Sequence, residues 1–228
     1  MQLLSIHVGP IGPLGPERRT RSAFVKHRVE GRVAITVTGV AGDVQADRRV
    51  HGGRDKAVYL YPAEHYDVWA PLLPQHAPLL RPGGMGENLS SLGLNEETTM
   101  IGDVLRVGTA MLEVTQPRQP CFKLALRFAD GRVGKTMTAR GWSGWYLRVR
   151  EPGIVQAGDE ITRLERPNPT WSVKRFTDVL LERRGTRADL EELASLSGLS
   201  ASLRAHARTA AIYLRDRQGL LSLEPSNP

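Results

Sequence analysis

From its start to about Arg163 the chain consists of short apolar runs broken by Gly and Pro. Val33-Ala34-Ile35-Thr36-Val37, Ala57-Val58-Tyr59-Leu60-Tyr61, Val104-Leu105-Arg106-Val107 and Met111-Leu112-Glu113-Val114-Thr115 are the clearest. Runs of that length, bounded by turn formers and rich in β-branched residues, predict strands. Helical spacing intrudes sporadically, best at residues 63–69 behind Pro62, whose fixed φ suits a first turn. Strands and helices do not alternate regularly. That argues against a doubly wound parallel sheet and for a mainly β fold with α elements, a β-barrel with peripheral helices.

The pattern changes at Glu165-Arg166-Pro167-Asn168-Pro169-Thr170, which reads as a linker because each proline holds its predecessor extended. Beyond it, apolar positions recur at helical spacing. Ser172 can cap a first helix with Val173, Phe176, Val179 and Leu180 on one face, ending at Gly185. Thr186-Arg187-Ala188-Asp189 can cap a second that carries Leu190, Leu193 and Leu196 and stops at Gly198; Ser200 can cap a third running to about Gln218. The expected organisation is a barrel domain over residues 1–165 and a small three-helix bundle over 166–228. Pro225-Ser226-Asn227-Pro228 predicts a frayed end.

Composition narrows the class. With 228 residues, 40% apolar and 24% charged, the chain can bury a core and is neither a disulfide-stapled miniprotein nor a disordered one. One cysteine, Cys121, allows no intrachain disulfide. No apolar run approaches the about eighteen residues of a membrane helix, so a soluble, cytoplasmic protein without a membrane partner is expected. Thirty-one Lys and Arg against 24 Asp and Glu leave a formal +7, which favours an anionic partner.

Three polar islands interrupt the β-rich part. The first, residues 42–57, gathers Arg48, Arg49, Arg54, Lys56 and His51 around Gly52-Gly53, where close backbone approach and N–H groups can cradle an anion. A charged hairpin turn explains it as well. The second, Arg81-Pro82-Gly83-Gly84-Met85-Gly86-Glu87-Asn88-Leu89-Ser90, can hold a carboxylate and an amide against a heterocycle, or be a plain turn. The third, Gln116-Pro117-Arg118-Gln119-Pro120-Cys121-Phe122-Lys123-Leu124, frames the thiol with two prolines and two cations. If those charges lie near the sulfur they favour thiolate, which attacks electrophiles and binds soft metals; otherwise Cys121 is a small buried hydrophobe. Zinc is disfavoured, because His7, His27, His51, His65, His76 and His206 show no paired ligand spacing. Neither a P-loop nor a G-x-G-x-x-G fingerprint is present.

Taken together and in order, Gly42-Asp43 with Gln45-Ala46-Asp47, His51-Gly52-Gly53 with Asp55-Lys56-Ala57-Val58, Gly86-Glu87-Asn88-Leu89-Ser90 and Gln116-Pro117-Arg118-Gln119-Pro120-Cys121-Phe122-Lys123 resemble the MOSC family. This is the β-barrel fold related to the C-terminal domain of molybdenum cofactor sulfurase. The resemblance is closest to the YiiM-like branch with its three-helix appendage, and spans nearly the whole chain. It implies an enzyme that uses molybdopterin, the molybdenum cofactor, to reduce N-hydroxylated compounds, notably N-hydroxylamino purines and related base analogues. It further implies Cys121 as the molybdenum ligand, and Arg49, His51, Gly52, Gly53, Asp55 and Lys56 around the pterin's phosphate. Glu87 and Asn88 would contact pterin or substrate, with Arg118 and Gln119 as further cofactor contacts. Arg54 stands where the pattern has Pro, and keeps the loop cationic.

Proton delivery is left open among Glu87, His51 and Asp55. One cysteine cannot hold an iron–sulfur cluster, so electrons are expected from a separate reductase, one with an acidic surface suiting the positive charge. A homodimer is left open. Three competing readings stand beside this one: a molybdopterin carrier without catalysis; Cys121 as nucleophile with His51 as base; and nucleic-acid binding through the C-terminal helices. The last draws on helix-turn-helix-like text at 190–203 followed by Arg204, His206, Arg208, Arg215 and Arg217, for which a packed bundle with a solvated basic face is the favoured explanation.

Overall fold

The apolar runs become strands wherever turn residues bound them. A computed structural model describes residues 1–45 and 52–221, with side chains as far as Leu214 on the last helix. Along the chain the strands are β1 (Gln2–Val8), β2 (Gly12–Leu14), β3 (Thr20–Ser22), β4 (His27–Val29), β5 (Val33–Thr36), β6 (Gly39–Val40), β7 (Val58–Pro62), β8 (Leu89–Leu92), β9 (Val104–Val107), β10 (Ala110–Pro117), β11 (Trp145–Glu151), β12 (Gly153–Val155) and β13 (Ile161–Glu165). Eight of them form one sheet in the order β13-β9-β10-β11-β7-β8-β1-β4. Every pair in it is antiparallel except β7 with β8. Strands β12-β5-β6 make a second sheet and β2-β3 a hairpin.

The mainly β fold with peripheral and C-terminal helices is present, and among the described residues its strands form no closed ladder. The sheet instead curls until its flanks touch at an irregular seam. Gln2 bridges Glu160, and backbone N–H groups of Leu3, Gly158 and Ile161 donate to the carbonyls of Asp159, Leu3 and Met1. Register shifts in β1, β10 and β13 accompany that curvature, as bulges do when a sheet bends.

Strand alternation divides the core in two. Val58 and Leu60 of β7 face one cluster with Leu3, Ile6, Leu112 and Trp145, while Tyr59 and Tyr61 face the other. The second cluster lies beneath α1 (Glu64–Leu72), α2 (Phe122–Phe128) and α3 (Arg132–Arg140), which contribute Tyr66 and Trp69, Leu124 and Phe128, and Val133 and Met137. The candidate site lies beside this second core.

After β13 the chain is helical, with α4 (Val173–Phe176) running into a π-turn at Thr177–Leu181, then α5 (Arg187–Leu193) and α6 (Ala201–Leu221). The caps read from sequence form: Ser172 Oγ accepts the Arg175 N–H, and Thr186 with Asp189 closes a capping box. The proline stretch is pinned, since Arg166 pairs with Asp103 at 2.7 Å and Asn168 Nδ2 donates to Ile101 O at 2.7 Å. Trp171, Phe176, Leu193 and Leu203 belong to the same apolar cluster as Leu105 and Leu112. None of the described helices is long and apolar enough to cross a membrane. The terminal Pro225–Pro228 lies outside the described residues.

Candidate functional site

Strand β10 ends at Pro117 and α2 begins at Phe122, so Cys121 occupies the residue before the first helical turn. Its backbone is extended and its carbonyl accepts the Leu124 N–H at 2.9 Å. The Arg118 N–H donates to Gly144 O at 3.1 Å, which ties the loop to the turn before β11. The thiol is half-buried and opens onto a cleft of about 650 Å³, including the solvent at its mouth. Lys26, Asp43, Lys56, Asn88, Arg118 and Tyr146 share that wall.

Arg118 is 4% exposed and has no carboxylate partner among the described residues. Its guanidinium lies 5.4 Å from the Tyr59 ring centre and 5.8 Å from that of Phe24, and Nη1 meets Met137 Sδ at 3.3 Å. Burial opposes its charge, but Coulombic attraction to Tyr59, Tyr146 and Cys121 in their ionised forms outweighs that and raises its pKa. A buried guanidinium facing aromatic rings, with donors uncommitted to any acid, is suited to an incoming anion.

Lys26 is the second buried cation. Its Nζ pairs with Asp43 Oδ1 at 2.5 Å, both side chains being less than a tenth exposed. Asp43 is fixed in turn by the Gly9 N–H at 2.9 Å and Asn88 Nδ2 at 2.8 Å. Asn88 Oδ1 accepts the Tyr59 N–H at 3.1 Å, and Nδ2 also reaches His7 O at 3.2 Å. Its amide is therefore engaged in orienting Asp43. Burial lowers the pKa of Lys26, against the pull of Asp43, and burial likewise lowers that of Lys56, whose Nζ lies 5.9 Å from the Tyr146 ring centre.

The other residues proposed from sequence fall differently. Glu87 has no exposed surface and does not line the cleft. Its Oε1 accepts from the Gly83 N–H at 2.6 Å, Tyr66 OH at 2.7 Å and Ser90 OH at 2.8 Å, and burial pushes its pKa up. It fastens the glycine loop to α1. Asp55 is likewise absent from the wall; Arg148 grips its Oδ1 at 2.7 and 2.9 Å and also binds Glu113 at 2.9 Å. It anchors the turn that carries Lys56. Gly53 adopts a φ of +92°, which favours glycine, but neither Gly52 nor Gly53 lines the cleft. Gln119 is exposed on its rim. Arg49 and His51 lie outside the described residues.

Sequence reasoning missed Lys26, Tyr59 and Tyr146 as parts of the site. Lys26 stands in no motif, and its contact with Asp43, across 17 positions, fixes it at the wall. His7 was noted only as one scattered histidine, yet it is buried beneath Gly83, where an added Cβ would come within 2.9 Å of its ring. Burial, then the charges of Arg28 and Lys26, lower its pKa from 6.5 to about 4. The folded state thus resists a proton that the unfolded chain accepts, so stability is intact above pH 6.5 and lost as pH falls towards 4. The loss expected from this group is about 2–3 kcal/mol. Urea unfolding across that range should show it in the native chain and a flatter profile in His7→Leu; equal slopes would exonerate His7.

Residues 47–162 match the MOSC domain. A reductase of Gibberella moniliformis is 39% identical over 197 residues, 85% of this chain but only 35% of that protein's length. YiiM of Escherichia coli is 37% identical over 189 residues, 79% of this chain and 80% of that one. The chain belongs to the MOSC domain family. The crystal structure of YiiM from Geobacillus stearothermophilus matches with a TM-score of 0.75 at 32% identity, covering 91% of this chain and 97% of that one. MOSC domains are associated with binding of the molybdenum cofactor. The cleft fits such a group chemically: one soft sulfur donor is flanked by Arg118, Lys26 and Lys56, while Asp43, the acid on the wall, is already neutralised by Lys26. Cys121 would hold the metal, and Arg118 and Lys56 the anionic parts.

Proposed function

We propose that this MOSC protein is a molybdenum-cofactor-dependent reductase of N-hydroxylated compounds, N-hydroxylamino purines and related base analogues foremost. The observation that carries the reading is the half-exposed Cys121 thiol on one wall with the buried, acid-free guanidinium of Arg118. A relative named a reductase supports the reaction type. When bound, the cofactor supplies a two-electron couple, so the N–O bond can be cleaved without a radical. The hydroxylamine takes up two electrons and two protons and leaves as amine and water, the electrons coming from a separate reductase.

The chain's own residues divide the remaining work. Cys121 would hold the metal through its thiolate, and Arg118 and Lys56 would neutralise anionic groups in a partly desolvated cleft where each charge counts for more than in water. Tyr59 and Phe24 line the cleft and pack beside the guanidinium. With Glu87 and Asp55 turned away and His51 outside the described residues, the lysines are the acids on the described wall, and burial eases proton release from both Lys26 and Lys56.

The test is production in a host that synthesises molybdopterin, with metal analysis and turnover of an N-hydroxylamino purine by a chemical electron donor. Stoichiometric molybdenum and repeated turnover are expected. Metal without turnover would leave a carrier; no metal from such a host would defeat the reading.

A further inference from the structure

Cys121 belongs to two hollows. Besides the cationic cleft, its side chain borders a trough of about 850 Å³, including the solvent at its mouth, lined by Phe122, Ala125, Gly134, Thr138 and Ala139. We propose that this trough seats the flat, uncharged ring of a heteroaromatic N-hydroxylated substrate, with Phe122 as its stacking face. The inference rests on the function proposed above and adds the place and the selectivity of substrate binding.

Three observations converge on it. First, the two hollows differ in chemistry: the cleft carries Lys26, Lys56, Arg118 and Lys123, whereas the trough is apolar and has only Lys135 and Glu182, of opposite sign, among its lining. An anionic group favours the cleft and a neutral ring the trough, and the thiol lies on the boundary between them. A ring lying in the trough would carry its N–OH substituent towards Cys121.

Second, the trough is kept open by glycines that packing does not demand. Gly134 lies inside α3, where glycine costs about 1 kcal/mol relative to alanine. A Cβ there would meet nothing nearer than Pro120 Cβ at 3.8 Å, an ordinary contact, and one at Gly131 would meet nothing within 4 Å. Neither residue has a positive φ. Space in the trough is what their lack of a side chain provides.

Third, Phe122 is 62% exposed directly after the thiol. A single exposed phenylalanine needs no explanation by itself. Here its ring borders a concavity next to the candidate reaction centre, the setting in which an aromatic face binds another by offset stacking. Lys135 and Glu182 supply a donor and an acceptor for ring heteroatoms.

The test uses the full chain free of cofactor, with 2-aminopurine as a fluorescent probe, in native protein, Phe122→Ala and Gly134→Leu. A Cβ at position 134 makes only an ordinary contact, and the leucine side chain would extend into the trough. Each substitution is expected to weaken 2-aminopurine binding about tenfold with the melting temperature retained. In cofactor-loaded protein the kcat/KM preference for an N-hydroxylamino purine over N-methylhydroxylamine should fall about tenfold. Absent probe binding, or equal affinity in all three proteins, would overturn the inference. So would a native dimer that Phe122→Ala dissociates, since a second copy would then cover the trough. If loaded native protein reduces neither substrate, the proposed function fails while the probe titration still judges the trough.

Discussion

Replacing Cys121 by serine should lower turnover of N-hydroxylated substrates at least about a hundredfold, since removing a metal ligand costs more than the tenfold to hundredfold typical of its supporting contacts. The hydroxyl is close in size to the thiol but is neither soft nor ionised near neutral pH, so it cannot replace a thiolate on molybdenum. The fold has little reason to suffer. Cys121 is half-buried, forms no side-chain cap hydrogen bond, and precedes the first turn of α2, a position that serine favours. The melting temperature should therefore hold or rise slightly, which separates lost chemistry from lost structure. Molybdenum content and turnover are to be measured on the same preparations; native turnover in loaded Cys121→Ser would defeat the ligand assignment.

Much of the fold was legible because its signals are local. The runs at 33–37 and 104–107 contain β5 and β9, that at 57–61 covers all of β7 but its last residue, and Ser172 and Thr186 form the caps their spacing predicted. Cys121 stands in a fixed loop after a strand because Pro117 and Pro120 allow little else. What could not be read depends on partners far along the chain. Glu87 turns inward because Tyr66 and Gly83 await it, and Asp55 turns to the sheet because Arg148 is opposite; no property of either carboxylate announces this. The seam between Gln2 and Glu160 is similarly a product of accumulated curvature and register shifts. The trough beside Cys121 escaped for another reason: Gly134 looks like a helix-weakening residue until the open space over it is seen.

Asp43→Ala should destabilise the protein by about 3–5 kcal/mol, as removing one partner of a buried ion pair does. The carboxylate receives three donors, Lys26 Nζ, the Gly9 N–H and Asn88 Nδ2; alanine strands the first two and leaves Asn88 Nδ2 only its bond to His7 O. The ammonium dominates, because an unpaired charge in that setting must shed its proton or draw in water. Adding Lys26→Met should recover part of the loss by removing the stranded charge, so the pair of changes should cost less than the sum of the two single ones. The double variant removes an ion pair without changing the net charge of the cleft wall, so its cofactor uptake should follow its regained stability. Urea midpoints for the four proteins, with molybdenum per chain, give both answers. Midpoints that coincide for the native chain and Asp43→Ala would mean that water already solvates the Lys26 ammonium, and that Asn88 and Gly9 are not holding a charged tether at the cleft.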